Sequence, residues 1–334
     1  MRFDQFGQGE IMAKKPTKSD ETPAEGPKPP DAAAAGISDI PEGEAPELTW
    51  GQAIRAKNLD AFKAGIKKEL DGIIAKHAAN LSNYAILFLF DDDTITSYHT
   101  DRLYSAAREL HGKDILLLID SPGGQIEPAY LISKTLKRLA ANKFVVAVPR
   151  RAKSAATLIC LGADEIHMGM MSQLGPIDPQ ISGLPTLALG NALRLIAELA
   201  SKYPGSSEVL AKYLIDQISI RRLGYYERVG ESAAQYAERL IGRRQLPSGK
   251  TAAEVASHLV NHYKDHGFVI DSGEATDLLG ATIVKEQTPE YLFADAVYGV
   301  IDFAQLVANR LGKKTFWVIG EAPEGINWRD IDEK

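Results

Sequence analysis

The chain has 334 residues, of which 45% are hydrophobic and 25% charged, a composition typical of a soluble globular protein with one large domain or two smaller ones. The formal net charge of -6 argues against a nucleic-acid partner, because nucleic-acid binders carry a basic patch or stripe. The single cysteine, Cys160, excludes an intramolecular disulfide framework, the longest apolar runs are too short to cross a bilayer, and the N-terminus lacks the apolar core of a signal peptide. We therefore expect a cytoplasmic protein with no membrane partner.

The first 48 residues differ in composition from the rest of the chain. Residues 1–48 are rich in Ala, Pro, Glu, Lys and Asp and almost lack aromatic and branched apolar side chains. Such a segment buries too little apolar surface to offset its loss of conformational entropy, so we predict a disordered tail. Residues 49–83 carry apolar side chains at three- and four-residue spacing, which predicts an N-terminal helix.

From residue 84 onward, strand patterns alternate with helix patterns. Strands are predicted at 84–90, 114–120, 143–148 and 164–168, and helices at 99–111, 126–141 and 154–163. This alternation implies βαβ units and a mostly parallel sheet that is buried on both faces. We therefore predict a fold of the α/β class.

Long helical patterns dominate the chain after Pro185. These helices are predicted at roughly 187–203, 207–241, 250–264 and 288–312. We expect a helical C-terminal region that packs on or beside the α/β core. The core domain is accordingly assigned to residues 84–285 and a C-terminal helical extension to 286–334.

The first motif with chemical content is IDSPGGQ, at residues 119–125. An apolar strand that leads through glycines into a helix start exposes unpaired backbone N–H groups, which suit an anion or a developing negative charge. Gly123 and Gly124 can also adopt backbone angles closed to other residues and let a substrate approach closely. The motif lacks the lysine and hydroxyl residue of a P-loop, so a nucleotide site fits poorly, whereas a plain strand-to-helix turn remains an alternative.

The second motif is PRRAKSAATLICLGAD, at residues 149–164, in which Ser154 stands at the predicted start of a helix. A serine at that place is most often an N-cap. However, Ser154 and the SPGG loop both follow parallel strands at their carboxyl ends, where ligand sites of open α/β sheets lie. A nucleophile there, with the amides of Gly123, Gly124 and Ala155 nearby, has the arrangement for acyl transfer. Arg150, Arg151 and Lys153 flank it, either to bind a substrate carboxylate or as a solvated basic loop.

Together, IDSPGG, the later serine that opens a small-residue helix, ADEI and SQLGPIDPQ resemble the ClpP/crotonase-fold serine peptidases. Within them the chain is similar to the serine dehydrogenase proteinase family of the signal peptide peptidase A-like branch. The resemblance covers about 84–182 and continues through HYKDHGFVIDSGEA to about 280. It implies a ClpP/crotonase-like fold, Ser154 as nucleophile, and an oxyanion hole from the glycine loop (Gly123 and Gly124) and Ala155.

The general base is the part of this assignment that the sequence leaves open. Clp-type members use a histidine soon after the nucleophile helix, whereas SQLGPIDPQ contains Asp178 and no histidine. Members similar to signal peptide peptidase A use a later lysine, for which Lys212 is the best match and Lys202 the second; either would need a desolvated ammonium. His167 and Asp178 are further candidates.

Three histidines, His258, His262 and His266, fall at spacings of four, on one face of a helix if that helix extends so far. Without an HExxH pattern or a nearby cysteine, the spacing is insufficient for a zinc site, and we expect neither metal nor cofactor. The leading prediction is a serine peptidase that acts on a peptide or protein and assembles as a homo-oligomer. An inactive scaffold of the same fold and a crotonase-like acyl-CoA enzyme are the alternatives.

Overall fold

A computed structural model describes residues 49–110, 112–181, 184–217, 220–312 and 314–330. The predicted disordered tail, 1–48, lies outside the described residues. Residues 46–334 group into one compact unit, and the predicted boundaries at 84 and 285 fall inside it.

Helices and strands alternate through the first half of that unit. The strands are β1 (Tyr84–Phe90), β2 (Asp114–Asp120), β3 (Phe144–Ala147), β4 (Arg151–Ala152), β5 (Glu165–Met168), β6 (Gln173–Leu174), β7 (Gln180–Ile181), β8 (Leu184–Pro185), β9 (Val284–Glu286), β10 (Lys314–Gly320) and β11 (Ile326–Asp330). The helices are α1 (Trp50–Arg55), α2 (Leu59–Leu81), α3 (Ser97–Glu109), α4 (Ile126–Leu139), α5 (Ala155–Leu161), α6 (Thr186–Lys202), α7 (Ser207–Gln217), α8 (Ile220–Ile241), α9 (Ala252–Asn261), α10 (Ser272–Leu279) and α11 (Pro289–Gly312).

The central sheet has seven strands in the order β11-β10-β1-β2-β3-β5-β9. The pairs β1–β2, β2–β3, β3–β5 and β5–β9 are parallel, and only β10 and β11 run antiparallel to their neighbours. The predicted α/β class, the mostly parallel sheet and the helical region after Pro185 are therefore confirmed.

Both faces of the sheet are covered, which explains why β1 and β2 read as continuous apolar runs. Alternate residues of β1 enter opposite cores: Leu87 and Leu89 pack on the side of α3, α4 and α5, whereas Phe88 and Phe90 pack on the side of α1, α2 and α11. Helix α8 adds Ala233 and other small side chains to the first core. The carboxyl ends of β2 and β3 point toward the loops that carry Gly123 and Ser154.

The C-terminal extension differs from the wholly helical prediction for 286–334. Helix α11 is followed by two strands, β10 and β11, and β10 pairs antiparallel with β1, so that Phe88 lies opposite Gly320. The segment TFWVIG is rich in aromatic and β-branched residues, which suit a strand. The partner of β10 in the central sheet, β1, lies far away in the chain. The helical pattern that precedes β10 therefore does not indicate that the chain returns to the sheet.

Helix α11 is long and apolar enough, by length and composition, to cross a membrane. One such helix is weak evidence, because a core helix of a soluble protein passes the same test. Phe293, Ala294 and Val297 of this helix are fully buried against the second core.

Candidate active site

The loop after β2 has a backbone conformation that depends on its two glycines. Gly123 has φ +106° and Gly124 has φ +156°, the left-handed region that favours glycine. A Cβ atom on Gly124 would lie 2.2 Å from the amide nitrogen of Ile95. The loop is fixed in this position because Ile95 donates its N–H to the Gly123 carbonyl at 2.9 Å and accepts from the Gln125 N–H at 2.9 Å. Only glycine therefore fits at 124.

The same loop lies directly against Ser154. A Cβ atom on Gly123 would lie 2.8 Å from the Ser154 Cβ atom and 3.0 Å from the amide nitrogen of Ala155. Strand β4, just before Ser154, is tied to the loop by two bonds: Ser121 donates its N–H to the Arg151 carbonyl at 3.0 Å, and Lys153 donates its N–H to the Ser121 carbonyl at 3.1 Å. The structure thus brings both sequence motifs together.

Ser154 has a strained backbone and no capping role. Its φ of 51° and ψ of -119° are unusual for a residue with a side chain, and its hydroxyl makes no N-cap hydrogen bond to helix α5. A conformation of this kind costs about 1–3 kcal/mol and persists only where surrounding structure enforces it, which is common at functional sites. The N-cap interpretation of Ser154 therefore fails, and the hydroxyl is left available.

Two backbone N–H groups beside this hydroxyl make no hydrogen bond to any described residue, those of Gly124 and Ala155. The N–H of Gly123 donates to the Ser121 Oγ atom at 3.2 Å. Unpaired backbone donors next to a serine at a helix start are the components of an oxyanion hole. Gly123, Gly124, Ala155 and Ser154 line a common cavity; the role of the three amides as an oxyanion hole stays a prediction.

A cavity of about 670 Å³ lies over these groups. Its apolar lining residues include Ile126, Leu158, Ile177, Tyr225, Val229 and Ala233. Ser154, the two glycines, Gln180 and His266 also line it. A mostly apolar cleft with a few converging polar groups is the usual form of a small-molecule or peptide site.

His266 is oriented in this cavity by a buried carboxylate. Its Nδ1 atom lies 2.8 Å from Oδ1 of Asp178, whose side chain is only 5% exposed, while the His266 side chain is 30% exposed. Asp178 also accepts from the Gln180 Nε2 atom at 2.9 Å through its other oxygen. The Nε2 atom of His266 remains without a hydrogen-bond partner among the described residues. His266 and Ser154 share the cavity without a direct hydrogen bond.

The lysines predicted as bases lie elsewhere. Lys212 pairs with Glu208 at 2.9 Å, its side chain is 73% exposed, and it is not among the described residues that line the cavity. Lys202 is likewise exposed, with its ammonium 5.7 Å from the ring centre of Tyr203. Neither ammonium is desolvated, so the structure lends no support to a lysine base at either position.

His167 and the arginines beside Ser154 are also engaged elsewhere. His167 is buried between Thr288, at 2.6 Å from Nδ1, and Glu165, at 3.3 Å from Nε2. Arg150 pairs with Asp295 at 2.5 Å, and Arg151 pairs with Asp92 and Asp120. These partners leave none of the three side chains free to act on a group in the cavity.

Sequence reasoning missed the pairing of His266 with Asp178. The sequence shows Asp178 in SQLGPIDPQ and His266 in DHGFVID, but the four-residue spacing groups His266 with His258 and His262 and does not indicate Asp178 as its partner. Helix α9 ends at Asn261, and His266 lies in a turn beyond it. The described residues contain no group of three potential metal ligands. The available signal was that HYKDHGFVIDSGEA belongs to the resemblance and carries a histidine.

Comparison with known proteins agrees with these observations. A family model described as ClpP-like SDH-type serine proteinase matches residues 93–198, which include both motifs and Asp178. An uncharacterized protein of Methanocaldococcus jannaschii is 42% identical over 81 residues, which span 24% of this chain and only 28% of that protein.

Two solved structures are similar at low identity. A membrane-bound stomatin-specific protease, 1510-N, is 17% identical with a TM-score of 0.40, covering 64% of this chain and 86% of that one. A variant of ClpP1 from Listeria monocytogenes is 14% identical with a TM-score of 0.35, covering 62% of this chain and 94% of that one. The family match confirms the resemblance predicted from the motifs: residues 93–198 carry the sequence pattern of the ClpP-like, SDH-type serine proteinases.

Proposed function

We propose that this protein is a serine endopeptidase in which Ser154 is the nucleophile, His266 the general base and Asp178 the carboxylate that orients His266. The observation that carries the proposal is the cavity itself. It brings together a strained serine whose hydroxyl makes no cap hydrogen bond, two backbone amides without a partner among the described residues, and a histidine whose Nδ1 atom is held by a buried aspartate.

The proposed reaction begins with attack of the Ser154 hydroxyl on the carbonyl carbon of a peptide bond. His266 accepts the hydroxyl proton at Nε2 and then donates it to the leaving amine, which departs as the acyl-enzyme forms. A water molecule next gives its proton to His266 and attacks the ester, and the proton returns to Ser154. Asp178 keeps the proton of neutral His266 on Nδ1 and stabilises the imidazolium that forms in each half-reaction.

The backbone amides stabilise the charge that develops on the carbonyl oxygen. The free N–H groups of Gly124 and Ala155 are the available donors, and Gly123 could join them by releasing its bond to Ser121. Fixed donors of this kind typically contribute about 2.7–4 kcal/mol each to transition-state stabilisation.

Two alternative functions fit the geometry less well. An inactive scaffold would give no reason to maintain a strained serine next to a His–Asp pair, because that strain costs stability. A crotonase-like acyl-CoA enzyme would use the amide loop on a thioester carbonyl but needs neither a nucleophilic serine nor an oriented histidine. The Ser154 conformation therefore favours the peptidase.

Digestion of an unfolded protein tests this proposal. Wild-type protein should cleave reduced β-casein, and Ser154→Ala should show no cleavage above background by mass spectrometry of the released peptides. Cleavage at equal rates by both proteins would refute the assignment of Ser154. Absence of cleavage by wild type, with hydrolysis of an acyl-CoA thioester, would favour the acyl-CoA enzyme, and absence of both reactions the scaffold.

We further propose a homo-oligomer in the cytoplasm. Exposed apolar side chains that self-association would bury lie on helices α6 and α7 and on the connection between them: Leu195, Leu199, Tyr203, Val209 and Tyr213. Light scattering coupled to size exclusion should give a mass above that of one 36.3 kDa chain. A monomeric mass at micromolar concentration would contradict this proposal without affecting that of the peptidase.

A further inference from the structure

Lys153, the residue before Ser154, makes two long-range contacts that the reaction does not explain. Its Nζ atom donates to the carbonyl oxygen of Leu174 at 3.1 Å and to that of Phe268 at 2.9 Å. Neither contact is an ion pair, and Lys153 is not among the described residues that line the cavity. The ammonium therefore serves to join three segments of backbone.

The two carbonyls belong to the segments that carry the other two residues of the proposed site. Leu174 lies four residues before Asp178, and Phe268 lies two residues after His266. These segments also pair with each other, since Leu174 donates its N–H to the Ile270 carbonyl at 2.9 Å and accepts the Ile270 N–H at 3.1 Å. Lys153 thus links the backbone next to Ser154 to the segment that carries Asp178 and to the turn that carries His266.

The stem of Lys153 is closely packed along this path. A Cβ atom on Gly175 would lie 2.7 Å from the Lys153 Cδ atom, so the chain at 175 leaves room for the lysine stem. Burial lowers the pKa of the Lys153 ammonium, which shows that holding it here is unfavourable for the charge. The two carbonyl acceptors offset part of that cost, because they replace the water that would otherwise solvate the ammonium.

We propose that Lys153 is a positioning residue, which holds the His266 turn and the Asp178 segment at the correct distance from Ser154. This inference rests on the proposed peptidase function. We assign Lys153 a supporting role and not that of a base, because its Nζ atom donates to two backbone carbonyls and Lys153 is not among the described residues that line the cavity. Displacement of a catalytic group by about 1 Å can reduce a rate about 100-fold.

A double-mutant cycle with a fluorescent fluorophosphonate measures this role, because the probe reports the maximal labelling rate, kinact, separately from probe affinity, KI. Lys153→Met, which keeps the stem and removes the donors, should reduce kinact by about 10- to 100-fold and change KI less than about twofold. In a His266→Gln background the same substitution should change kinact less than about twofold, because the group it positions is already absent. Lys153→Arg, which retains donors, should recover part of the rate.

The matched control is Lys285→Met on strand β9. Lys285 also donates from Nζ to a backbone carbonyl, that of Ala281 at 2.9 Å. Its replacement by Met should leave kinact unchanged. If Lys153→Met does not fold, Lys153→Gln replaces it, since its shorter amide cannot reach both carbonyls. A kinact for the Lys153 variant equal to wild type, or a loss of equal size in both backgrounds, would overturn the positioning role.

Hydrogen exchange provides a readout that does not depend on activity. In Lys153→Met, the Ile270 N–H should exchange at least about tenfold faster than in wild type, because the hydrogen bonds from Lys153 to Leu174 and Phe268 are lost. Unchanged exchange at Ile270 would refute this link. Equal labelling of wild type and Ser154→Ala would instead refute the peptidase proposal, so the two failures are distinguishable.

Discussion

His167 and His266 each lie beside a carboxylate, and they differ in which ring nitrogens make hydrogen bonds to the described residues. His167, with a side chain only 4% exposed, has both ring nitrogens occupied, by Thr288 and Glu165, and Glu290 lies 3.4 Å from its Nδ1 atom. His266 lines the cavity of Ser154; its Nδ1 atom is held by Asp178, and its Nε2 atom makes no hydrogen bond to a described residue. A fully satisfied histidine stabilises the fold, whereas a half-satisfied one in a cavity can exchange a proton.

The two sites also differ in their position on the sheet. His167 lies opposite Lys285 in the pairing of β5 with β9, and its partners include Glu290 at the start of α11. His266 lies in a loop beside the segments that follow β2 and β3. Loops at the carboxyl ends of parallel strands position groups for chemistry, while the network around His167 joins strands to helix α11.

The largest expected effect separates the two histidines. His266→Gln should reduce the rate of peptide cleavage by at least about 10⁴-fold, because the proton acceptor is lost, with little change in the free energy of unfolding. His167→Gln should have the opposite profile, costing about 1–3 kcal/mol in the free energy of unfolding, because the hydrogen bonds of the buried ring to Thr288 and Glu165 are lost. Cleavage rates per folded molecule and urea unfolding curves measure both quantities.

The contrast would be broken if His167→Gln abolished cleavage while His266→Gln did not. Equal losses of activity in both variants, at equal folded fraction, would also contradict the separation into a catalytic and a structural histidine.

A smaller effect is expected at the glycine loop. Gly124→Ala places a methyl group against the backbone of Ile95, so the backbone of residue 124 and its amide must move. We expect a loss of about 10²–10³-fold in kcat, the usual consequence of losing one oxyanion donor. Steady-state kinetics on a cleaved peptide would show it.

Gly299→Ala in helix α11 is the control for that substitution. No atom lies within 4 Å of the added Cβ position, so alanine should stabilise the helix by about 0.5–1 kcal/mol and leave kcat unchanged. A comparable loss of kcat in both variants would show that the effect at Gly124 is not local to the oxyanion loop.

The network around His167 predicts a dependence of stability on pH. The hydrogen bond from His167 is the main cause that lowers the pKa of Glu290 from 4.5 to about 2. A carboxylate with a lowered pKa in the folded state contributes stability above its unfolded pKa and loses it as pH falls. The free energy of unfolding should therefore decrease between about pH 4.5 and about pH 2, and Glu290→Gln should flatten that part of the curve. An unchanged slope in Glu290→Gln would assign the acid sensitivity to other groups.

Much of the fold and half of the site could be predicted from local patterns. The strands at 84–90 and 114–120 match β1 and β2, since apolar runs of that length between turns indicate buried strands. IDSPGG and the segment around Ser154 can each be recognised because the residues that shape each of them are contiguous in sequence. The match of residues 93–198 to the ClpP-like family model agrees with that interpretation.

The missing parts depend on contacts between distant segments. His266 and Asp178 are 88 residues apart, and no periodicity links a turn after α9 to the loop before β7. Strand β10 likewise pairs with β1 across more than two-thirds of the chain. The exposure of Lys212 depends on how helix α7 packs, which a lysine on a helical pattern does not reveal.

A crystal structure of the protein after reaction with a small fluorophosphonate tests the central claim most directly. We expect the phosphorus on the Ser154 Oγ atom, its free oxygen about 2.7–3.1 Å from the amides of Gly124 and Ala155, and the His266 Nε2 atom within about 3.2 Å of the Ser154 Oγ atom while Asp178 still holds Nδ1. A phosphonylated Ser154 with His266 turned away and another base in its place would contradict the account.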